Sequence, residues 1–170
     1  RARSLGIATS DVIAIAATPA GIGQRVEMLV RLENEVETLL EALADETRSD
    51  LNRRQVLKAV AGTIREFHEA GFLHGDLNLM NILVQQIPDT PPRAILVDLD
   101  PGGLGPAADR LGNLKRLVRS YRKSIRSRIP PLRHGEGIRF LHQVTGADPA
   151  LLRRVVRASQ ELLPQSEWRR

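Results

Sequence analysis

The most informative segment of the chain reads Phe72-Leu-His-Gly-Asp-Leu-Asn-Leu-Met-Asn-Ile-Leu-Val84. Three polar residues in it, His74, Asp76 and Asn81, follow the spacing H-x-D-x-x-x-x-N. Before the segment, apolar residues recur at helical spacing and Gly71 supplies a stop, which predicts a long amphipathic helix. The helix begins after Ser49 or Asp50, and its apolar face comprises Val56, Leu57, Val60, Ala61, Ile64 and Phe67. The segment is therefore predicted to be a polar loop between a helix and a strand.

A second segment, Ala94-Ile-Leu-Val-Asp-Leu-Asp100, reads as a strand that ends in two carboxylates. We expect residues 82–84 and 94–97 to pair as an antiparallel hairpin around a proline-rich turn. A register that sets Asn81 opposite Asp98 centres this turn between residues 89 and 90. Asn81 and Asp98 are then side by side at the open end of the hairpin.

The chemistry expected at that end follows from the three residue types. The amide oxygen of Asn81 and the carboxylate of Asp98 are the hard oxygen ligands that Mg²⁺ prefers. Asp76 lies five residues upstream of Asn81, on a loop that enters the same end. A carboxylate close to a metal but not bound to it can accept a proton from a hydroxyl group. This combination suits phosphoryl transfer, which depends mainly on positioning and charge neutralisation.

The same residues carry a family resemblance. His74-x-Asp76-x-x-x-x-Asn81 followed by Asp98 resembles the catalytic loop and metal-binding loop of the protein-kinase-like fold. The residues in and around these motifs are similar to the bacterial lipopolysaccharide kinase family, which phosphorylates Kdo or heptose of the inner core. They include an Asp-x-Asp metal loop at Asp98 and Asp100 and the string Asn113-Leu-x-Arg-Leu-x-Arg-Ser120. The resemblance covers residues 1–128 and is strongest over 66–120.

The resemblance implies an α+β, protein-kinase-like fold. Residues 33–170 would form the mostly helical C-terminal lobe, which includes the catalytic-loop hairpin. Residues 1–32 would be a remnant of the N-terminal lobe that comprises a hairpin of two strands and the hinge. The implied activity is ATP- and Mg²⁺-dependent phosphorylation of a Kdo or heptose hydroxyl in the lipopolysaccharide core. Because ATP is the donor, a cytoplasmic location is expected, with peripheral contact at the inner face of the inner membrane.

Residue roles follow from the same resemblance. Asp76 would be the base that orients the sugar hydroxyl, and His74 would brace the loop. Asn81 and Asp98 would hold Mg²⁺ between the ATP phosphates. Asp100, which stands where the usual Asp-Phe-Gly has glycine, would assist the metal or bind the loop backbone.

Other parts of the family pattern are missing. Gly21-x-Gly23 has Val26 where a phosphate loop needs glycine, and the strand predicted over 12–17 contains no lysine. A helix glutamate to pair with that lysine is also missing. We therefore expect a truncated kinase that is a poor catalyst as this chain alone. Three alternatives remain open: an aminoglycoside-type or other small-molecule kinase, a protein kinase, and a non-catalytic pseudokinase that binds partners or lipid.

Composition narrows the class of protein. The 170 residues are 42% hydrophobic and 26% charged, as in a globular domain with its own core. With no cysteine, the chain has no disulfide scaffold, thiol nucleophile or cysteine-bound zinc. The net charge is −5 over residues 1–100 (10 basic, 15 acidic) and +10 over 101–170 (15 basic, 5 acidic). At 3% aromatic residues, stacking on nucleic acid is not supported, and no nucleic-acid partner is expected.

The basic C-terminal third suggests an anionic partner. Arg119 and Lys123 lie one helical turn apart and are the preferred pair for an anionic glycolipid or a membrane surface. An ordinary solvated helix face explains the same charges equally well. The remaining predicted elements are a strand over 25–32 with one buried face and helices over 33–43, 108–128, 135–144 and 148–163.

Overall fold

The computed structural model describes residues 2, 4, 6–99, 109–126, 129–133, 135–146 and 148–162. Within these ranges it contains five strands and five helices. In chain order the strands and helices are β1 (Val12–Ala20), β2 (Gly23–Val30), β3 (Val36–Thr38), α1 (Leu39–Ala44), α2 (Asp50–Glu69), β4 (Ile82–Gln85), β5 (Arg93–Leu96), α3 (Arg110–Ile125), α4 (Glu136–Thr145) and α5 (Pro149–Leu162).

Helix α2 organises the core. Its predicted apolar face is buried, and the helix packs against β4, β5 and α4. Ser49 caps its start by accepting a hydrogen bond from the Asn52 amide (3.2 Å), and Gly71 follows its end in the left-handed region (φ 84°). Helix α5 packs against α3 and α4, which closes the helical layer. Helices α2 to α5 confirm the predicted helices to within two or three residues at each end.

The predicted helix over 33–43 is wrong in its first half. Val36–Thr38 forms the short edge strand β3, which pairs antiparallel with β4. The helix starts only at Leu39, because Thr38 and Glu41 form a reciprocal capping box across its first turn. The sheet order is therefore β3-β4-β5, and residues 8–10 add parallel hydrogen bonds along β5.

Strands β1 and β2 form the predicted hairpin, separate from the other sheet. Gly21 at its turn has a φ of 58°. The prediction of one buried face over 25–32 is wrong, since every residue of both strands is exposed. Their alternating pattern does not create burial, because nothing in the described part of the chain covers either face. The division into lobes at residue 32 stays a prediction. No described helix is long and apolar enough to span a membrane.

Candidate active site

The β4–β5 hairpin brings two of the predicted metal ligands, Asn81 and Asp98, to one end of the sheet. Its register is one residue from the prediction. Ile82 pairs with Leu96, so Asn81 stands opposite Val97 and not opposite Asp98. The Val97 amide donates to the Asn81 carbonyl oxygen at 3.1 Å. The register differs from the prediction because the connection between the strands, residues 86–92, has an odd number of residues. Asp89 lies at its centre in the left-handed region (φ 58°).

Asp98 lies two positions beyond Leu96, the last paired residue of β5, and is exposed. Its own backbone is left-handed (φ 57°), a conformation that ends the strand and turns the chain. Asn81 and Asp98 therefore occupy the same open end of the hairpin although they are not directly opposite. Asp100, the third predicted metal ligand, lies outside the described residues.

His74 links the loop to this end of the hairpin. Its side chain is 1% exposed, and Nε2 donates to the Val97 carbonyl oxygen at 2.9 Å. The other ring nitrogen, Nδ1, accepts a hydrogen bond from the Asp76 amide at 3.1 Å. One neutral tautomer satisfies both contacts, so the imidazole ties the residue before Asp98 to the backbone of Asp76.

Asp76 is exposed, and two asparagines hold it. The Nδ2 atom of Asn78 donates to Oδ2 of Asp76 at 2.9 Å, while its Oδ1 accepts from the amides of Met80 (2.8 Å) and Asn81 (3.1 Å). Asn81 donates its own Nδ2 to the Asp76 carbonyl oxygen at 3.0 Å. This contact fixes the orientation of the Asn81 amide and leaves its Oδ1 as the end that can face a cation.

Two side chains of α3 form hydrogen bonds with backbone atoms of the loop at residues 74–81. This role was not predicted from the sequence. Asn113 is 1% exposed and binds both backbone groups of His74, accepting from N–H at 2.9 Å and donating to C=O at 3.0 Å. Ser120 accepts from the Leu79 amide through Oγ at 3.1 Å. Asn113 and Ser120 are seven residues apart, so they lie two turns apart on one helix face. Their spacing beside the buried Leu114 and Leu117 is the signal that could have indicated this role.

His68 completes the buried polar network. With its hydrogen on Nε2 it donates to Oδ1 of Asn113 at 3.3 Å, and its side chain is 2% exposed. Burial is the main cause that lowers the pKa of His68 from 6.5 to about 4; the Arg110 charge also lowers it, while the Asn113 hydrogen bond opposes the shift. His68 is therefore neutral at physiological pH.

Arg119 and Lys123, the pair predicted to bind an anionic partner, are exposed on α3. Arg116 and Arg126 are also exposed. The four cations are spaced three, four and three residues apart, which places them along one side of the helix. We call these four residues the basic face of α3. It is distinct from the face on which Asn113 and Ser120 hold the loop.

The oxygen atoms at the hairpin end fit a magnesium ion better than a transition metal. Among the described residues, no group of three or more His, Cys, Asp or Glu side chains could hold a metal by itself. Mg²⁺ does not need such a cage, because it commonly binds one or two protein oxygens together with water and substrate phosphates. The Asn81 amide oxygen and the Asp98 carboxylate are ligands of that kind.

Known proteins resemble this chain in sequence. The model of the lipopolysaccharide kinase (Kdo/WaaP) family matches residues 1–150. The 3-deoxy-D-manno-octulosonic acid kinase of Xanthomonas euvesicatoria pv. vesicatoria (strain 85-10) is 39% identical over 106 residues, which are 61% of this chain and 39% of that protein. The chain thus spans well under half the length of this curated relative.

Solved structures resemble it in fold. The structure of WaaP in complex with acyl carrier protein matches with a TM-score of 0.71 at 20% identity, over 95% of this chain and 72% of that chain. The Mycobacterium tuberculosis PknI kinase domain matches with a TM-score of 0.47 at 18% identity, over 92% and 73%. The match to WaaP confirms the predicted α+β, kinase-like fold. Because the family model covers most of the sequence, this chain belongs to the lipopolysaccharide kinase (Kdo/WaaP) family.

Proposed function

We propose that the protein is an ATP-dependent phosphotransferase that phosphorylates a sugar hydroxyl, of Kdo or heptose, in the lipopolysaccharide inner core. The observation that carries the proposal is the convergence of Asp76, Asn81 and Asp98 at one end of the β4–β5 hairpin. Family membership supports the reaction class, and the name of the Xanthomonas relative supports Kdo as the acceptor.

Asp76 is proposed as the general base. The hydrogen bond from Asn78 engages Oδ2 and leaves Oδ1 to accept the hydrogen of the sugar hydroxyl. His74 and Asn81 both bind backbone atoms of Asp76, so three neighbours restrict where the carboxylate can point. A fixed base orients the attacking oxygen and receives its proton as the bond to phosphorus forms.

Asn81 and Asp98 are proposed to hold Mg²⁺ against the ATP phosphates. When bound, the ion neutralises charge on the phosphate oxygens during transfer. The contributions of the protein are the Asn81 amide, locked by its bond to the Asp76 carbonyl, and the Asp98 carboxylate, placed by the left-handed turn. Asp100 is proposed as an auxiliary to this pair.

Arg119 and Lys123 are proposed to seat the anionic glycolipid, as part of the basic face of α3. Each solvent-exposed cation near an anionic surface contributes on the order of 1 kcal/mol. The face also supports peripheral contact with the cytoplasmic side of the inner membrane, where ATP is present. Replacing both residues by glutamine should raise KM for a glycolipid acceptor and leave kcat unchanged. The matched pair Arg153→Gln and Arg154→Gln on α5 should leave both constants unchanged.

The test of the function is an acceptor panel on the full-length gene product that contains these residues. Transfer from γ-labelled ATP is measured to a Kdo-bearing lipid precursor, a heptose-bearing core, an aminoglycoside and a generic protein substrate. We expect label on one of the two core sugars and a requirement for Mg²⁺. Label only on the aminoglycoside or the protein, or no transfer and no binding of Mg·ATP, would overturn the proposal.

A further inference from the structure

A concave site lies between α2 and α4. This α2–α4 cleft has a volume of about 230 Å³, and its polar lining includes Arg54, Lys58, Arg139, Gln55 and Gln143. None of them belongs to the hairpin end or to the loop at residues 74–81. The cleft therefore shares no residue with the proposed catalytic site.

Three cations converge on this cleft. Arg54 and Lys58 are one turn apart on α2, and Arg139 comes from α4; all three side chains are exposed. Within the described part of the chain, none of the three side chains makes a hydrogen bond or an ion pair. Like charges one turn apart repel each other, so this arrangement is unfavourable until an anion enters.

The one carboxylate of the cleft does not neutralise these cations. Glu136 is 4% exposed, and its Oε2 accepts from Arg53 Nε (3.3 Å) and from the Arg133 amide (2.8 Å). The buried Arg53 balances the charge of Glu136, which leaves a charge of about +3 from Arg54, Lys58 and Arg139. Leu57 and Phe140 contribute apolar walls, which strengthen electrostatic attraction by reducing solvent.

The first turn of α4 leaves room for one of the three cations. Gly135 precedes the helix with a φ of 79°, and no side chain among the described residues caps the helix start. The guanidinium of Arg139 folds back over this turn, where a side chain at position 135 would approach Nη1 to 3.2 Å. Glycine at 135 therefore leaves room for the Arg139 guanidinium.

We propose that the α2–α4 cleft binds a phosphate monoester group. A phosphate carries close to two negative charges and several acceptor oxygens, which matches three cations and two amide side chains better than a carboxylate does. The group can belong to a lipid headgroup or to free phosphate, and the chemistry of recognition is the same. This site does not depend on the phosphotransfer proposed above, because it uses none of those residues.

The test compares a cleft variant with a charge-matched control. Binding is measured by titration with inorganic phosphate and by sedimentation with phosphatidylcholine vesicles, with and without phosphatidic acid. Lys58→Gln with Arg139→Gln removes one cation from each wall. Arg153→Gln with Arg154→Gln removes the same charge from exposed positions on α5. Circular dichroism of both variants verifies that they fold.

The expected result is binding about tenfold weaker in the cleft variant and less than twofold weaker in the control. Arg139→Lys, which keeps the charge and loses the planar fork, should fall between wild type and the double variant. If the cleft variant binds both inorganic phosphate and phosphatidic acid vesicles more weakly, a phosphate group alone is sufficient for recognition. If only its binding to vesicles weakens, the cleft recognises a lipid headgroup. Equal loss in the two double variants, or no saturable binding by the wild-type protein, would overturn the proposal.

Discussion

Removal of Asn113 tests whether α3 holds the catalytic loop. In Asn113→Ala, the N–H and C=O of His74 lose their buried partners, and so does Nε2 of His68. A stranded buried backbone group costs about 1–3 kcal/mol, so the two groups of His74 alone predict a loss of about 2–6 kcal/mol in unfolding free energy. That is a large share of the roughly 5–15 kcal/mol of a typical domain.

Urea denaturation measures this loss, and amide hydrogen exchange locates it. The His74 amide should lose protection more than the amides at the centre of α2. Ser120→Ala strands only the Leu79 amide and should lose about 1–3 kcal/mol. The control is Ser124→Ala, whose hydroxyl donates within α3 to the Ser120 carbonyl and does not touch the loop. A loss below about 1 kcal/mol for Asn113→Ala, or equal losses for Ser120→Ala and Ser124→Ala, would show that α3 does not hold the loop through these contacts.

Three further predictions concern buried and loop residues. His68 has a folded pKa of about 4 against its ordinary 6.5, so stability present above pH 6.5 falls as the pH drops toward 4. His68→Gln should flatten the pH dependence of urea midpoints in that window; an unchanged slope would contradict the assignment. Arg53→Ala leaves Glu136 buried without its cation and should cost about 3–5 kcal/mol in urea denaturation, whereas Arg53→Met with Glu136→Leu should recover most of it. Asn78→Ser keeps an acceptor for the loop turn and removes the donor to Asp76, so kcat of the full-length enzyme should fall with little change in KM for ATP, and equal changes in both would count against positioning.

Short sequence patterns predicted the loop and the hairpin of the site. The spacing from His74 to Asn81 predicted the loop between α2 and β4, and the two apolar runs predicted the hairpin. The register differed by one residue, because the left-handed Asp89 allows an odd-numbered turn that residue preferences do not specify. The contacts of Asn113 with His74 span 39 residues, and no local pattern contains such a contact.

The structure also differs from the sequence prediction in the burial of β2 and in the pairing of β3 with β4. The alternation in β2 resembles a strand with one covered face, although both faces are exposed in the described residues. Val36 reads as part of a helix because Leu39, Leu40 and Leu43 continue its spacing. Pairing with β4 outweighs that preference, and the capping box at Thr38 sets the boundary.

If Asp76 is the general base and Asp98 a ligand of Mg²⁺ in phosphoryl transfer, turnover requires both carboxylates. The most direct measurement is turnover of the full-length enzyme with Mg·ATP and its core-sugar acceptor, for Asp76→Asn and Asp98→Asn, with Asp89→Asn at the exposed hairpin turn as control. Both site variants should lose at least about a hundredfold in kcat while their urea midpoints stay close to wild type, and the control should keep full activity. Wild-type turnover in either site variant would rule out these roles.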